Sequence, residues 1–481
     1  MTTIKLDPGA ALLLDALHGA GHAAYAVGGC VRDSLLGLAP HDWDLCTSAR
    51  PEQVMALFGE EKCIPTGLQH GTVTVKQGGR LYETTTFRTE GAYSDGRHPD
   101  AVCFVPEVRE DLARRDFTIN AMAYSAEEGL IDPFGGRDDL AAHLVRAVGE
   151  PERRFEEDAL RILRLYRFAA RFGFAIDPAT GAAARALGPH LDCVSAERIQ
   201  EELLKLLAAP RPGSYLEPAV LAVILPELEP EKQPERFAEL CRTIDRIEPT
   251  AENVPARLAA LLWPLGEAGA RKALRKLKCS NALTDEVTAL VGGSVGSFLL
   301  GHEFELRHPA DALCLERHSH PAGRCPNSNS LFPPQAAVVA VAGHSIARPI
   351  ACGNRVPPQR TVLGETPGTP NTTLTVQAKR LLGRYELPTI QRLTALCSAR
   401  HPEQAVAFAA LRAEAERLTA ENACCRVSQL AVNGRDLMAA GVRPGPGLRQ
   451  VLNALLEAVI TGQTPNEKDA LLAAAAQFSA S

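Results

Sequence analysis

The spacing of apolar and polar residues divides the chain into a mixed first part and a helical remainder. Apolar residues three and four apart predict an amphipathic helix over residues 8–20, and a short apolar run predicts a strand over residues 22–27. A short helix is predicted over residues 31–38, where glycine and proline follow it. Segments rich in Val and Thr, bounded by glycine turns, predict strands over residues 42–47, 71–76 and 81–88.

From residue 158 the pattern changes to Ala, Leu, Arg and Glu at helical spacing, which continues to about residue 305 and resumes at residue 376. Residues 318–371 follow neither period, so we predict that they are disordered or carry a non-native sequence such as a shifted reading frame. Residues 89–99 are polar and turn-rich and predict a mobile loop. The chain is therefore expected to be an α+β protein with a mixed α/β head (1–145), a helical neck (146–208), a helical body (209–310), an irregular Pro-rich segment (311–375) and a helical tail (376–481).

Composition narrows the class of protein. The 481 residues are 46% hydrophobic and 22% charged, which is typical of a globular chain of two to four domains. We expect no membrane span, because the chain contains no run of about 18 apolar residues. We expect no secretion signal either, because the N-terminus lacks a basic region followed by a cleavable apolar core. Thirteen scattered Cys without CxxC pairs fit a reducing cytoplasm. The net charge of −6 excludes an overall basic coat but leaves room for a local nucleic-acid-binding face.

The first candidate site lies between the first strand and the second. Gly28 and Gly29 end a strand and open a helix, where backbone N–H groups can approach a phosphate, and Arg32 on the first turn adds a cationic fork. Asp42 and Asp44 are two apart on a predicted strand, so their carboxylates share one face and offer the hard oxygen ligands that suit Mg²⁺.

Each of these features also has an ordinary structural explanation. A glycine turn is usually only a turn, and two aspartates at this spacing are usually a solvated strand edge. Glu83 becomes a third carboxylate of the set if its strand neighbours the first, and otherwise it faces solvent. The order and close spacing of the motifs favour a phosphate and metal site.

A second motif begins with Arg114-Arg115-Asp116 and includes Asn120. Two adjacent arginines beside an Asp and an Asn can bind triphosphate oxygens and ribose hydroxyls together. The alternative is an exposed ion-pair cluster that opens a helix.

The third motif is arginine-rich and lies on the predicted neck helix. Asp158 lies three positions before Arg161 and Glu157 lies four positions before it, so on a helix both carboxylates share a surface with Arg161. Arg161, Arg164 and Arg167 step by three and form a basic ridge. A carboxylate beside a guanidinium can contact the amino group and ring nitrogen that cytosine and adenine present alike. The alternative is a helix with common i,i+4 ion pairs.

Taken in order, the segments GGxVRD…DxD, RRDFTINAMAY…DPFGG and EDALRILRLYRFAARFGF resemble the class II tRNA nucleotidyltransferases. These are the CCA-adding enzymes, and they share their head with bacterial poly(A) polymerases. The resemblance is close over residues 20–210, including the neck motif at 195–207, and the segment 432–472 is similar to the C-terminal region of the bacterial enzymes. It implies a cytoplasmic enzyme that adds C, C and A to the 3′ end of tRNA from CTP and ATP, with Mg²⁺ as cofactor and pyrophosphate as product.

The resemblance also implies roles for particular residues. Asp42 and Asp44 would hold Mg²⁺, with Glu83 as the third member. The nucleotide would be bound by two glycines, five arginines and two aspartates, namely Gly28, Gly29, Arg32, Arg115, Asp116, Asp158, Arg161, Arg164 and Arg167. Within this set Asp158 and Arg161 would act as the amino-acid template that pairs with the base. Residues 93–97 are similar to the loop linked in this family to the switch from CTP to ATP, which favours full CCA addition.

Two departures from the family stand out. Many bacterial relatives carry a metal-binding His-Asp pair after a segment like residues 256–262, but here Trp263-Pro264 follow, so a phosphohydrolase activity is expected to be lost. The segment 318–371 matches nothing in the family, and its candidate zinc ligands His318, His320, Cys325 and Cys352 fit no standard finger spacing.

Two alternatives stay open. One is a bacterial poly(A) polymerase or an enzyme that adds only A, against which the mixed charge of the tail argues. The other, from a different class, is an inactive RNA-binding relative, against which the intact Asp42, Asp44, Asp158 and Arg161 argue.

Overall fold

The computed structural model describes residues 3–90, 102–293 and 373–478 and divides the chain into two compact units. Of the described residues, the first unit contains 3–90, 102–293 and 377–426, and the second contains 373–376 and 427–478. The predictions made for residues 93–97 and 318–371 lie outside the described residues.

A seven-stranded sheet organises the head of the first unit. Its order is β3-β4-β5-β2-β1-β8-β9, with β2 and β5 parallel and all other neighbours antiparallel. Two small pairs accompany it, β6 with β7 and β10 with β11. In chain order the strands are β1 (Ala24–Val27), β2 (Leu45–Thr47), β3 (Cys63–Gly67), β4 (Thr72–Gln77), β5 (Arg80–Thr86), β6 (Arg88–Glu90), β7 (Val102–Phe104), β8 (Ala123–Ser125), β9 (Gly129–Ile131), β10 (Leu144–Val145) and β11 (Ala175–Ile176).

Helices cover the sheet and build the rest of the chain. The head carries α1 (Pro8–Gly19), α2 (Gly29–Leu35), α3 (Pro51–Phe58), α4 (Val108–Ala113) and α5 (Gly136–Ala141). The neck carries α6 (Pro151–Glu157), α7 (Leu160–Phe172), α8 (Pro178–Ala186) and α9 (Ala196–Leu207). The body follows with α10 (Pro218–Ile224), α11 (Pro234–Arg246), α12 (Val254–Leu262), α13 (Gly266–Lys276) and α14 (Asn281–Gly292). After the gap come α15 (Thr373–Arg384), α16 (Leu387–Arg400), α17 (Ala405–Ala420), α18 (Gly434–Ala439), α19 (Pro446–Ile460) and α20 (Lys468–Phe478).

The predicted mixture of an α/β head and helical remainder is confirmed, and several elements begin where local chemistry requires. Asp7 caps α1 by accepting the N–H groups of Gly9 and Ala10 at 3.0 and 3.3 Å, and Pro8 occupies the first helical position. Gly173 ends α7 with φ 68°, in the left-handed conformation that favours glycine.

Differences from the predicted elements have local causes. β3 was missed because it contains Pro65 and lies at the sheet edge, where its pairing with β4 shifts register. Thr89, predicted to begin a loop, belongs to β6 instead. The helix after the gap begins at Thr373, three residues before the predicted start of the tail.

The second unit has its own capping and ion-pair contacts. Asn433 caps α18 by accepting the backbone N–H groups of Arg435 and Asp436 at 2.8 and 3.2 Å. Lys468 at the start of α20 donates to Asp436 at 2.6 Å, so α18 and α20 are joined at these ends. Within the described parts of both units, no helix is long and apolar enough to cross a membrane.

Candidate active site

β1 ends in a turn that only glycine fits. Gly28 has φ 77° and ψ −120°, and a Cβ there would lie 2.7 Å from Nη1 of Arg115. Its N–H donates to the Met122 carbonyl at 3.0 Å, and its own carbonyl accepts the N–H of Arg32 at 3.0 Å. The turn therefore brings the first turn of α2 and the Arg115 guanidinium together at the end of β1.

The two aspartates of the DxD motif lie in a segment without regular secondary structure immediately before β2, not on the strand as predicted. Trp43 between them is buried whereas Asp42 and Asp44 are exposed, so the two carboxylates do share a face. β2 pairs with β5 in parallel, and the same register continued by one residue lays Asp44 beside Glu83. Glu83 counts as a third carboxylate only if its strand neighbours the aspartates, and β5 does pair with β2.

The Asp44 side chain is accessible at the protein surface, but the protein atoms around it exclude part of the water from its carboxylate. Burial raises the pKa of Asp44, and the negative charges of Glu83 and Asp42 raise it further, whereas Arg115 lowers it. Mutually repelling carboxylate oxygens are the hard donor set that Mg²⁺ neutralises, so these residues fit a divalent cation in donor type.

The three carboxylates are not gathered into one group, however. Asp42 is 81% exposed, and its Oδ2 lies 3.0 Å from Nδ1 of His41. Over residues 3–90, 102–293 and 373–478, no three His, Cys, Asp or Glu side chains are clustered in a way that could hold a metal ion. The structure brings Asp44 and Glu83 together and leaves Asp42 facing solvent beside them.

Asp116 is buried and already fully engaged. Its Oδ1 accepts the backbone N–H of Phe117 at 2.8 Å and Nδ2 of Asn120 at 2.9 Å, and its Oδ2 accepts Nε and Nη2 of Arg164 at 2.9 and 2.6 Å. Burial alone would raise the pKa of Asp116, but the Arg164 charge and these hydrogen bonds hold it well below its usual range. A carboxylate that accepts four hydrogen bonds has little capacity left for the predicted contact with ribose or phosphate.

Arg32 is only 4% exposed and is fixed on every side. Its Nε donates to Oδ1 of Asp33 at 2.8 Å and its Nη1 to Oδ1 of Asn120 at 2.5 Å. The guanidinium also lies over the rings of two phenylalanines of α7, at 5.2 and 4.9 Å from their centroids. Asn120 also donates to Asp116, which accepts hydrogen bonds from Arg164 of the neck. Asn120 therefore connects Arg32, behind the glycine turn, to the neck helix α7.

The predicted neck helix is interrupted at Asp158. α6 ends at Glu157, Asp158 is extended with φ −149° and ψ 102°, and α7 begins at Leu160. The side chain of Asp158 accepts the Leu160 N–H at 3.1 Å, a local bond that competes with continued helix. Its other partner is Arg198 on α9, which donates to Oδ1 at 3.3 Å and to Oδ2 at 2.8 Å. Asp158 and Arg161 therefore do not lie on one continuous helix as predicted.

The predicted contact of Arg161 with Glu157 is present, although the two lie on successive helices. Nη1 of Arg161 donates to Oε2 of Glu157 at 2.8 Å and to the Arg154 carbonyl at 3.1 Å, and Nη2 donates to the Arg114 carbonyl at 3.1 Å. Arg161 is 9% exposed, so its guanidinium is held by α6 and by the end of α4. Asp158 and Arg161 each have a partner of opposite charge, but they do not pair with one another.

The arginine ridge of α7 faces carboxylates. Glu202 on α9 is 5% exposed, accepts Nε of Arg167 at 2.5 Å, and lies 3.8 Å from Nη1 of Arg164. The Phe168 ring packs beneath both guanidiniums, 4.0 Å from that of Arg167 and 5.4 Å from that of Arg164. The ridge is thus a set of ion pairs across two helices and not an open basic surface.

Sequence reasoning missed three of the charged partners, Asp33, Arg198 and Glu202. α9 did contain a signal for Glu202, which lies on the buried side of an amphipathic helix with Ile199 and Leu203. A carboxylate in that position needs a cation from a facing element. Arg198 lies outside that stripe, and no pattern marked it.

Family models match much of the chain in three separate segments. The Poly A polymerase head domain matches residues 24–146, the probable RNA and SrmB-binding site of polymerase A matches residues 173–232, and tRNA nucleotidyltransferase domain 2 matches residues 382–475. The first segment contains the glycine turn, the DxD motif and Asp116.

Curated relatives and solved structures agree with these matches. The CCA-adding enzyme of Lactiplantibacillus plantarum is 32% identical over 96% of this chain and 93% of its own length. That of Leuconostoc citreum is 44% identical over 52% of this chain, and the match spans 60% of the relative's length. The crystal structure of the Bacillus stearothermophilus CCA-adding enzyme in complex with CTP superimposes with a TM-score of 0.67 at 29% identity, covering 98% of both chains.

Proposed function

The chain belongs to the family of CCA-adding enzymes, which are nucleotidyltransferases, and on this premise we propose that it adds C, C and A in turn to the 3′ end of a tRNA that lacks them. CTP and ATP are the donors, and no nucleic-acid template is needed. The observation that carries the proposal is the parallel pairing of β2 with β5, which lays Asp44 beside Glu83, while the Arg115 guanidinium lies at the Gly28 turn. The charge of Arg115 also lowers the pKa of Asp44.

The acidic edge is the reaction centre in this proposal, and Asp42, Asp44 and Glu83 are the residues that would hold Mg²⁺. When bound, Mg²⁺ favours ionisation of the tRNA 3′ hydroxyl and neutralises the charge of the leaving pyrophosphate. The raised pKa of Asp44 supports this role, because a carboxylate whose charge is opposed by burial and by neighbouring acids gains most from a cation.

The glycine turn and its arginines position the triphosphate. In the proposal, the N–H groups at the start of α2, which begins at Gly29, face the phosphates, because the first N–H groups of a helix lack carbonyl partners within it. Arg115 orients the α-phosphorus for in-line attack, and Arg32, which is buried behind the turn, supports the turn through its bonds to Asp33 and Asn120. The 3′ oxygen then forms a bond to the α-phosphorus, the bond to the bridging oxygen breaks, and pyrophosphate leaves. Positioning and charge neutralisation supply most of the rate in such a transfer.

The neck reads the base. In the proposal, Asp158 accepts the amino group that cytosine and adenine share, and Arg161 donates to the adjacent ring nitrogen. Uracil and guanine present a carbonyl oxygen where the amino group would be, and a carboxylate repels it. Arg164 and Arg167 hold the nucleotide from the same helix.

The test is incorporation into a tRNA lacking its terminal CCA, with Mg²⁺ and with CTP, ATP, both or neither. Addition of two C residues and one A, followed by a stop, is the expected result. Addition of A alone, or of a long A tract, would assign the chain to the A-adding or poly(A) class. No incorporation by a folded protein that still binds tRNA would identify an inactive RNA-binding relative.

Two variants separate the assigned roles. Asp42→Ala should abolish transfer of every nucleotide, and substantial residual transfer would contradict the metal role. Asp158→Ala should leave transfer chemistry in place but blur the preference for CTP and ATP over UTP and GTP. An unchanged preference in the Asp158 variant would contradict the base-reading role.

A further inference from the structure

We propose that Arg198 on α9 is a positioning residue that sets nucleotide specificity by fixing the orientation of the Asp158 carboxylate. The inference rests on the proposed base-reading function of Asp158. It assigns the rejection of UTP and GTP partly to a residue that lies 40 positions further along the chain and on another helix.

The ion pair between Arg198 and Asp158 engages both carboxylate oxygens but leaves one of them able to accept a further hydrogen bond. Arg198 donates Nη1 to Oδ1 of Asp158 at 3.3 Å and Nη2 to Oδ2 at 2.8 Å, so the two planar groups meet through two parallel contacts. Oδ1 also accepts the N–H of Leu160 at 3.1 Å, whereas Arg198 is the one described donor on Oδ2. Each carboxylate oxygen accepts about two hydrogen bonds, so Oδ2 retains capacity for an amino group.

The pair is mostly buried but keeps some access to solvent. The side chain of Asp158 is 16% exposed and that of Arg198 is 21% exposed, so packing restrains both while part of each surface stays open to a ligand. Asp158 also lies in the non-helical link between α6 and α7, where its carbonyl accepts the N–H of Arg161 at 3.0 Å and leaves the side chain free to take its own orientation. Its orientation therefore depends on the side-chain contacts with Leu160 and Arg198.

The orientation matters because rejection of uracil depends on repulsion. A carboxylate held against the base edge accepts from an amino group and repels a carbonyl oxygen, and the penalty persists only if the carboxylate cannot turn away. The terminal torsion of an aspartate is broad when nothing restrains it. Without Arg198 the carboxylate can rotate out of contact, and the carbonyl of uracil or guanine is then tolerated.

Two residues of α9 contact different parts of the candidate site. Arg198 restrains the Asp158 carboxylate, whereas Glu202, one turn later, holds Arg164 and Arg167 on α7. A change at Arg198 is therefore expected to affect base selection and not the arginines that hold the nucleotide. Loss of Arg198 is expected to change the choice between nucleotides, a readout that simple loss of structure does not move.

The experiment measures kcat/KM separately for CTP and UTP on a tRNA lacking CCA, using the full chain. Arg198→Met should lower the CTP-to-UTP ratio by about 10- to 100-fold, the factor that corresponds to one charge-assisted hydrogen bond. Arg198→Lys keeps the charge without the planar fork and should give an intermediate ratio. Lys205→Met is the matched control, because it removes a cation from an exposed ion pair on the same helix, with Glu201 at 2.6 Å, and should leave the ratio unchanged.

The outcomes distinguish this inference from the proposed function. If Arg198→Met lowers CTP and UTP use by the same factor, Arg198 has only a structural role and the inference is wrong. If the unmodified protein fails to incorporate CMP, or does not prefer CTP to UTP, the proposed function itself fails. Thermal unfolding of each variant checks that the proteins compared are equally folded at the assay temperature.

Discussion

Replacing Arg257 with methionine is expected to destabilise the helical body strongly, although it puts an apolar side chain in a buried position. Arg257 lies on α12 with 0% exposure, and its guanidinium contacts backbone carbonyls instead of a carboxylate. Nε and Nη2 donate to Ile247 at 3.1 and 2.6 Å, and Nη1 donates to Leu207 and Ala209 at 2.7 and 2.5 Å. A weaker contact reaches Pro210 at 3.4 Å. The side chain thus joins the C-terminal ends of α9 and α11, where helix carbonyls lack partners.

The magnitude follows from the carbonyls that the substitution strands. Ile247, Leu207 and Ala209 would each leave a buried acceptor unsatisfied, at about 1–3 kcal/mol apiece. Relief of the burial cost of a guanidinium offsets part of this loss, which leaves a net destabilisation of about 3–5 kcal/mol. At about 2.1 cal/mol/K of unfolding entropy per residue, a unit of roughly 330 described residues shows a decrease in Tm of about 4–7 °C.

Thermal unfolding followed by far-UV circular dichroism measures the effect. Arg257→Lys keeps the charge but not the five-donor fork, so its Tm should lie between those of Arg257→Met and the unmodified protein. Arg242→Met is the control, since Arg242 on α11 makes an exposed ion pair with Glu239 whose loss should cost no more than about 1 kcal/mol. If Arg257→Met unfolds within 1 °C of the control, the carbonyls have found other donors and the argument fails.

Three further predictions concern the candidate active site. Glu202→Gln loosens the two arginines that it holds and should lower kcat/KM for CTP and ATP alike, by roughly tenfold, the worth of one charge-assisted hydrogen bond; a changed preference between nucleotides would contradict this. Asp116→Asn should cost about 1.5–3 kcal/mol at pH 7, because it removes the buried carboxylate that accepts two charge-assisted hydrogen bonds from the partly exposed Arg164. Since the folded-state pKa of Asp116 is lowered, its stabilisation is present above the ordinary aspartate range and is lost as pH falls through the folded pKa, so the Tm gap between the two proteins should close only in strong acid; a gap that closes near pH 5 would count against it. Gly28→Ala should destabilise the head by about 1–3 kcal/mol, because of the positive φ, and displace Arg115, which calorimetry and the KM for CTP would detect.

The candidate site residues of the head could be predicted from local sequence signals, because they lie on or next to short strands and turns. The glycine turn after β1 and the shared face of Asp42 and Asp44 both follow from spacing, and the place of Glu83 followed once its strand was taken as a neighbour. The exact start of β2 did not follow, because alternation of buried and exposed residues continues through Asp42 and Asp44, and Asp44 still accepts the Val27 N–H of β1 at 3.0 Å just before the strand begins.

The neck resisted prediction for a different reason. Helical periodicity tells which residues share a face, but not which distant residue opposes them. The partners of Asp116 and of Arg167 lie 48 and 35 positions away along the chain, on other helices. The break at Asp158 was hidden as well, since the residues on both sides continue the helical pattern and one side-chain bond to the Leu160 N–H decides the interruption.

In the proposed function, the ion pairs of the neck explain how a chain of net charge −6 would present arginines to a nucleotide. An unrestrained arginine gives up about 2 kcal/mol of side-chain entropy when a ligand orders it. Here the carboxylates of Asp116 and Glu202 already order Arg164 and Arg167 during folding, so that cost is met before a nucleotide arrives. Arg164 is engaged by Asp116 through Nε and Nη2, and its Nη1 lies 3.8 Å from Glu202, beyond hydrogen-bonding distance. Paired arginines of this kind keep part of their donor capacity while losing their freedom, which is the arrangement that catalysis by positioning requires.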